Sequence, residues 1–245
     1  MKMKILVQRI LRLLGYDIKR YINAFEVQQE LIKNTKPVIF DVGAHLGKVT
    51  EVYRNLFPTA VIHSFEPFPM SFQQLKENHS KDSNVKVHNL GISDKIGVSI
   101  LNVNTLSGAN SLLPTDSVGS SYWGEGMLET KEQVEVNITT IDTFCREENI
   151  SKIDILKLDV QGNELKILTG AKQMLSNQAI SLIYSEIILV PTYEGQSKLN
   201  EYLSFFDSHG YDLFDLYNTE RKGKKLIQAD FLFVNSYFQK ELLWE

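Results

Sequence analysis

The chain is poor in several features that would mark particular function classes. It has one cysteine, Cys145, in 245 residues. That usage excludes an intrachain disulfide, argues against a cysteine-based metal site and fits a reducing, cytoplasmic setting. No apolar run approaches the roughly 20 residues that a membrane span needs. The N-terminal apolar stretch is interrupted by Gln8, Arg9 and Arg12, which argues against a signal peptide. Positive charge is not in excess: 26 Lys and Arg stand against 30 Asp and Glu, a net charge of −4. Such a molecule is no polycation built for nucleic acid. Internal repeats and low-complexity tracts are absent. The phosphate-cradling pattern GxxxxGK[ST] is missing, and GxGxxG fails because position 45 is His and position 48 is Lys. A pyrophosphate ligand is therefore a poor match.

What is present reads as an ordinary globular chain, 43% apolar and 23% charged. Its length suits one domain, with or without an appendage, and a core that buries about 70–75% of the unfolded surface. The organising stretch is Val38-Ile39-Phe40-Asp41-Val42-Gly43-Ala44-His45-Leu46-Gly47. An unbroken β-branched and aromatic run predicts a parallel strand covered on both faces. Asp41 stands at the strand's end. Gly43 and Gly47 permit a sharp turn and close approach to a ligand. A helix over about 48–56 would offer free N–H groups there.

Residues 1–34 read as a helical appendage. Lys2, Arg9, Arg12, Lys19 and Arg20 share one arc, opposite Leu6, Ile10, Leu13, Leu14, Ile18, Tyr21, Ile22 and Phe25. The reading is a helix docked on the core; the same pattern also suits peripheral contact with an anionic membrane surface. Beyond it, strands and helices alternate. Val61–Phe65 leads to Glu66, 19 residues after Gly47, the spacing at which nucleotide-binding units place an acid on ribose hydroxyls. Val85–His88 ends at Asn89, a candidate adenine contact or a plain turn residue. Val98–Val103 and Val134–Ile138 alternate as antiparallel strands, predicting an insertion over about 98–138. The long Gly/Ser-rich connection within it reads either as a lid over substrate or as a mobile loop. Then come a short helix at 141–148, strand 153–158 ending at Asp159, one helix over 164–175 and strand 182–185 ending at Glu186. Helix 198–209 with Leu199, Tyr202, Leu203 and Phe206 inward follows, and strands 211–216 and 231–234 close the chain. Arg221-Lys222-Gly223-Lys224-Lys225 reads as a solvated turn.

This alternation predicts an α/β fold: a mostly parallel seven-stranded sheet with helices on both faces and a small antiparallel insertion. Asp41, Glu66, Asp159 and Glu186 should gather at the carboxyl edge, where such sheets bind ligands. Clustered acids could hold Mg²⁺, but no spacing demands it and no metal is expected. A ligand with a cationic amino-acid end, a ribose and an adenine suits the acids, and S-adenosylmethionine is one. His63 and His88 read as core strand residues.

Phe40-Asp41-Val42-Gly43-Ala44-His45-Leu46-Gly47, Phe65-Glu66-Pro67 and Leu156-Lys157-Leu158-Asp159-Val160-Gln161-Gly162-Asn163-Glu164, in that order, resemble the FkbM family of methyltransferases. His88–Ser93, Gly108–Leu112, Thr140–Thr143 and Leu168–Ala171 agree. The resemblance spans about 37–190. It implies a Rossmann-like class I methyltransferase fold and methyl transfer from S-adenosylmethionine to a hydroxyl on a sugar or natural-product skeleton. It implies cofactor contacts from Asp41, Gly43, Ala44, His45, Gly47, Glu66, Asn89, Asp159 and Gln161. His45 stands where the family often has Asn, and Gln161 where it often has Glu. Asp159 and Glu186 are the candidate general bases; the alternative is that Asp159 only orients the cofactor and that Glu186 is a helix-capping or structural acid. The expected partner is a small-molecule or glycan acceptor. A binding protein without turnover and, less favoured, an NAD(P)-dependent oxidoreductase are the rival readings.

Overall fold

The computed structural model describes residue 13 and residues 22–237. Its centre is a seven-stranded sheet in the order β3-β2-β1-β7-β8-β10-β9. The strands are β1 (Val38–Val42), β2 (Val61–Phe65), β3 (Val85–His88), β7 (Ile153–Leu158), β8 (Ile180–Ile188), β9 (Tyr211–Lys222) and β10 (Lys225–Asn235). The first five pair in parallel; β10 runs antiparallel to both β8 and β9. Strand order reverses at β1, between β2 and β7, so the glycine turn sits at the sheet's switch point.

Side chains alternate cleanly between two cores. Phe40, Val42, Leu156 and Leu158 face one, with helices Ile141–Glu147, Glu164–Thr169 and Leu199–Ser208. Ile39, Ile155 and Leu182 face the other, with helices Ala24–Leu31 and Lys48–Leu56. Covering on both faces is why β1 and β7 read as unbroken apolar runs. The insertion is a three-stranded sheet, β4 (Gly91–Ile92), β6 (Thr130–Thr139) and β5 (Gly97–Asn104), with β5 and β6 antiparallel as their alternation predicts.

Several elements differ from the expectation. The helix expected over 164–175 breaks into Glu164–Thr169 and Lys172–Ser176. The cause is tertiary. Gly170 lies so close to the Ser93 carbonyl that a Cβ would come within 2.3 Å of its oxygen. Asp142 then caps the second piece, accepting from Gln173 N at 2.8 Å and Met174 N at 3.0 Å. Leu203 is 40% exposed, at the edge of the stripe set by Tyr202 and Phe206. The closing hairpin is longer than its apolar runs suggest. Its tip is not merely solvated: Lys222 Nζ donates to the Ser121 carbonyl, and Lys225 Nζ lies 4.9 Å from the Tyr122 ring centre.

Helix Ala24–Leu31 starts at Asn23, whose side chain accepts from Phe25 N at 2.9 Å. It docks on helix Lys48–Leu56 through Phe25 against Tyr53 (ring centres 5.3 Å apart) and through a 2.8 Å hydrogen bond from the Tyr53 hydroxyl to buried Gln28. The basic arc of the appendage, from Lys2 to Arg20, lies outside the described residues, and the membrane-contact reading lies there with it. Among the described residues no helix is long and apolar enough to cross a membrane.

Candidate active site

The site grows from the end of β1. Gly43 and Gly47 adopt φ of +79° and +86°, and His45 between them adopts +49°. Left-handed backbone is costly for most side chains, with Asn, Asp and His among the more tolerant. Gly43 N and Ala44 N both donate to the Phe65 carbonyl, at 3.1 and 3.0 Å, pinning the turn to β2. On its other side the turn presses on the end of β7. A Cβ on Gly43 would fall 1.8 Å from the Asp159 carbonyl oxygen, so only glycine fits.

Glu66 follows β2 and is 7% exposed. Its Oε2 accepts from His45 N at 2.9 Å and its Oε1 from Phe68 N at 2.8 Å. Burial raises its pKa to about 7, against the opposing pull of those two N–H donors. Each oxygen keeps a free lone pair for a further donor.

These residues line a cleft of about 730 Å³, mouth included. Gly43 and His45 line it with Phe65, Glu66 and Ile92; the Ser107–Leu112 turn of the insertion and the Asp159–Gln161 turn complete it. His45 Nε2 lies 3.0 Å from Ser107 Oγ, so the glycine turn touches the insertion. Burial lowers the His45 pKa, with Lys48 and Lys157 adding to that and Asp159 opposing it. Part of the long connection thus lines the cleft. Another part packs elsewhere: Trp123 Nε1 donates to Thr192 Oγ1 at 2.8 Å.

Beside the cleft lies an acid group with one buried cation. Gln161, at φ +59°, donates from Nε2 to Asp159 Oδ1 at 2.9 Å and to Glu186 Oε2 at 2.6 Å. Gln228 donates to the other oxygen of Glu186. Burial pushes Glu186 well above the usual carboxylate range, and the charges of Asp159, Glu164 and Asp230 push it further, against Lys157. Glu186 lies within β8, opposite Asp230 of β10, rather than at a strand's end. Lys157 Nζ lies 3.0 Å from Asp41 Oδ1 and 3.6 Å from Asp159 Oδ2, and donates to the Gly43 carbonyl at 3.1 Å.

The residues expected at the site therefore divide. Gly43, His45, Glu66, Asp159 and Gln161 line one cleft. Asp41 is fully buried behind the turn, held by Lys157 and by Thr50 Oγ1 at 2.7 Å. Ala44 and Gly47 shape the turn without lining the cleft. Asn89 turns its amide onto the Glu66 and Pro67 carbonyls, both at 3.0 Å, and so buttresses the residue after β2. Glu186 reaches the cleft only through Gln161. His63 and His88 stack on each other (ring centres 5.3 Å apart), and neither lines the cleft. Sequence reasoning assigned no role to Lys157 or Tyr193. A lysine between Leu156 and Leu158, in a strand buried on both faces, was the available signal for the first. Tyr193 had none, because its position depends on how the loop after β8 folds. Among the described residues, no group of three or more His, Cys, Asp or Glu side chains is placed to hold a metal ion.

Residues 41–213 match the model of the methyltransferase FkbM domain. The chain is 26% identical over 211 residues to the 2-O-methyltransferase NoeI of Sinorhizobium fredii, covering 82% of this chain and 85% of that one. It is 24% identical over 193 residues to the 31-O-demethyl-FK506 methyltransferase FkbM of Streptomyces tacrolimicus, covering 71% and 72%. In fold it is similar to an rRNA methylase from Streptococcus thermophilus, with a TM-score of 0.50 at 11% identity over 90% of this chain and 99% of that one.

Proposed function

This chain belongs to the FkbM methyltransferase family, and on that premise we propose that it transfers a methyl group from S-adenosylmethionine to a hydroxyl of a glycan or natural-product acceptor. The observation that carries the reading is the buried Glu66 carboxylate, which lines a cleft together with the side-chain-free Gly43 and the adjoining Asp159. A vicinal diol fits Glu66, whose two oxygens can each accept one more hydrogen bond. The apolar surface of Phe65, Leu90 and Ile92 suits an adenine ring beside it. Asp159 suits the cationic end of the ligand. The names of both relatives place the methyl group on oxygen, which supports a hydroxyl acceptor.

The cofactor supplies an activated methyl on a sulfonium, so the protein's work is chiefly placement. Gly43, His45 and Glu66 hold the cofactor. Of Asp159 and Glu186, which the Gln161 amide joins, Asp159 is the carboxylate that takes the acceptor's proton. Asp159 is the one that lines the cleft, and Glu186 stands behind it. Incubation with S-adenosylmethionine and a panel of sugar and polyol hydroxyl acceptors tests the reading. Release of S-adenosylhomocysteine that depends on the acceptor is expected. Cofactor binding without release for any acceptor class would identify a binding protein instead.

A further inference from the structure

The contacts around Gln161 assign a role to a residue outside the cofactor cleft. Gln161 uses both N–H groups of its amide, one on Asp159 and one on Glu186. Its Oε1 then needs a donor on the opposite side. Among the described residues that donor is the hydroxyl of Tyr193, 3.1 Å away. Tyr193 sits in the loop after β8 and is 2% exposed. Its ring packs over Gly162, where a Cβ would come within 3.2 Å of it. Its own backbone is fixed by Gln196 Oε1, which accepts from Tyr193 N at 2.8 Å. The same hydroxyl also lies 2.9 Å from the Ala109 carbonyl of the insertion. That carbonyl has a second donor, Asn104 Nδ2 at 2.6 Å, so it stays satisfied when the single hydroxyl hydrogen turns to Gln161.

An amide can flip, and the two orientations present opposite chemistry to the acids. With N–H groups forward, Gln161 donates and favours ionised carboxylates. With Oε1 forward, it accepts and favours a protonated one. We propose that Tyr193 is a positioning residue for the acid pair: its hydroxyl holds Gln161 Oε1, so the amide presents donors to both Asp159 and Glu186. The device opposes a large unfavourable environment. Glu186 faces Asp159 from the turn after β7, Glu164 from the following helix and Asp230 from β10, with Lys157 of β7 as the opposing cation. Burial together with those acids favours the protonated form, and the donors of Gln161 and Gln228 favour the ionised one. Only the description of Asp159 as the proton acceptor rests on the methyl-transfer reading; the orientation itself does not.

Carboxyl-carbon NMR titration of protein labelled with ¹³C at Asp and Glu side chains tests this, with Asp159→Asn and Glu186→Gln used to assign the pair. Tyr193→Phe keeps the ring and removes the donor. The upper midpoint of the pair is expected to rise by about one pH unit, a tenfold gain in proton affinity. The Glu66 signal should keep its midpoint. A pair midpoint unchanged in folded Tyr193→Phe protein overturns the proposal. Gln161→Met provides the second arm, whether or not Tyr193→Phe folds. It should raise the midpoint at least as much, and adding Tyr193→Phe to it should give no further shift. A further shift in the double variant would mean that Tyr193 acts by another route. Calorimetry of the wild type with S-adenosylhomocysteine separates the two readings. Failure to bind would remove the proposed function and leave the titration result standing.

Discussion

Lys157 offers the sharpest test of how the site is held together. Replacing it with Met keeps the length of the side chain and removes the charge. The lysine is 6% exposed and lies 3.0 Å from Asp41, which is fully buried. Without it, Asp41 keeps among the described residues only the Thr50 hydroxyl, and the Gly43 carbonyl loses the Lys157 donor. Breaking a buried pair by removing one partner costs about 3–5 kcal/mol, because the remaining charge is left uncompensated. In a chain of this size each kcal/mol lowers Tm by about 2–4 °C, so the expected fall is about 6–20 °C. Urea unfolding followed by circular dichroism measures the loss. The charge-free pair, Lys157→Met with Asp41→Asn, should be more stable than the sum of the single losses implies, by up to about 3 kcal/mol. A loss below about 1 kcal/mol for Lys157→Met, or strict additivity in the double variant, would refute the claim that this pair anchors the glycine turn.

Three further outcomes follow from the geometry. Gly43→Ala forces a Cβ to 1.8 Å from the Asp159 carbonyl at a φ of +79°, so it should abolish cofactor binding and lower stability by more than about 3 kcal/mol, read by calorimetry and thermal unfolding. Glu66, with its pKa raised to about 7, binds a proton more tightly folded than unfolded. Its contribution to stability is therefore full below about pH 4.5 and is lost as pH rises through about 7. Ribose hydroxyls need the ionised form as acceptor, so cofactor affinity should fall about tenfold from about pH 8 to about pH 6, and a flat profile would contradict the assignment. His63 and His88 are held near pKa values of about 3 and about 4, chiefly by burial. The stability that they contribute is present above about pH 6.5 and is lost as pH falls toward those values. His88→Phe should make acid unfolding less steep, as monitored by tryptophan fluorescence.

The inner parallel strands β1 and β7 were legible because they are short apolar runs, a pattern dictated by burial on both faces. Glu66 and Asp159 were legible because an open parallel sheet puts whatever ends its strands beside the switch point. The remainder depended on contacts that no local pattern carries. Nothing near residue 170 announces that Ser93 will crowd it and split the helix. The four acids were read as gathering at one edge, with no role given to Lys157, which stands among them because β7 pairs beside β1 with Lys157 opposite Asp41. That register also places Asp41 behind the turn rather than in the cleft. The long connection read either as a lid or as a mobile loop. It divides because its first turn returns to β5 through the Asn102–Ser111 bridge, while Thr115 pairs with Tyr193. His45 and Gln161 stood out as departures from the family's usual residues. Both adopt left-handed backbone, and both hydrogen-bond across the cleft's boundaries.

The central claim is that the cleft beside Gly43 and Glu66 binds S-adenosylmethionine through its ribose. Isothermal titration of S-adenosylhomocysteine into the wild type and into folded Glu66→Ala tests it most directly. Removing charge-assisted hydrogen bonds to two hydroxyls should weaken binding by about tenfold or more, with NAD binding more weakly than S-adenosylhomocysteine in the wild type. Equal affinity in the two proteins, or tighter binding of NAD, would contradict the account.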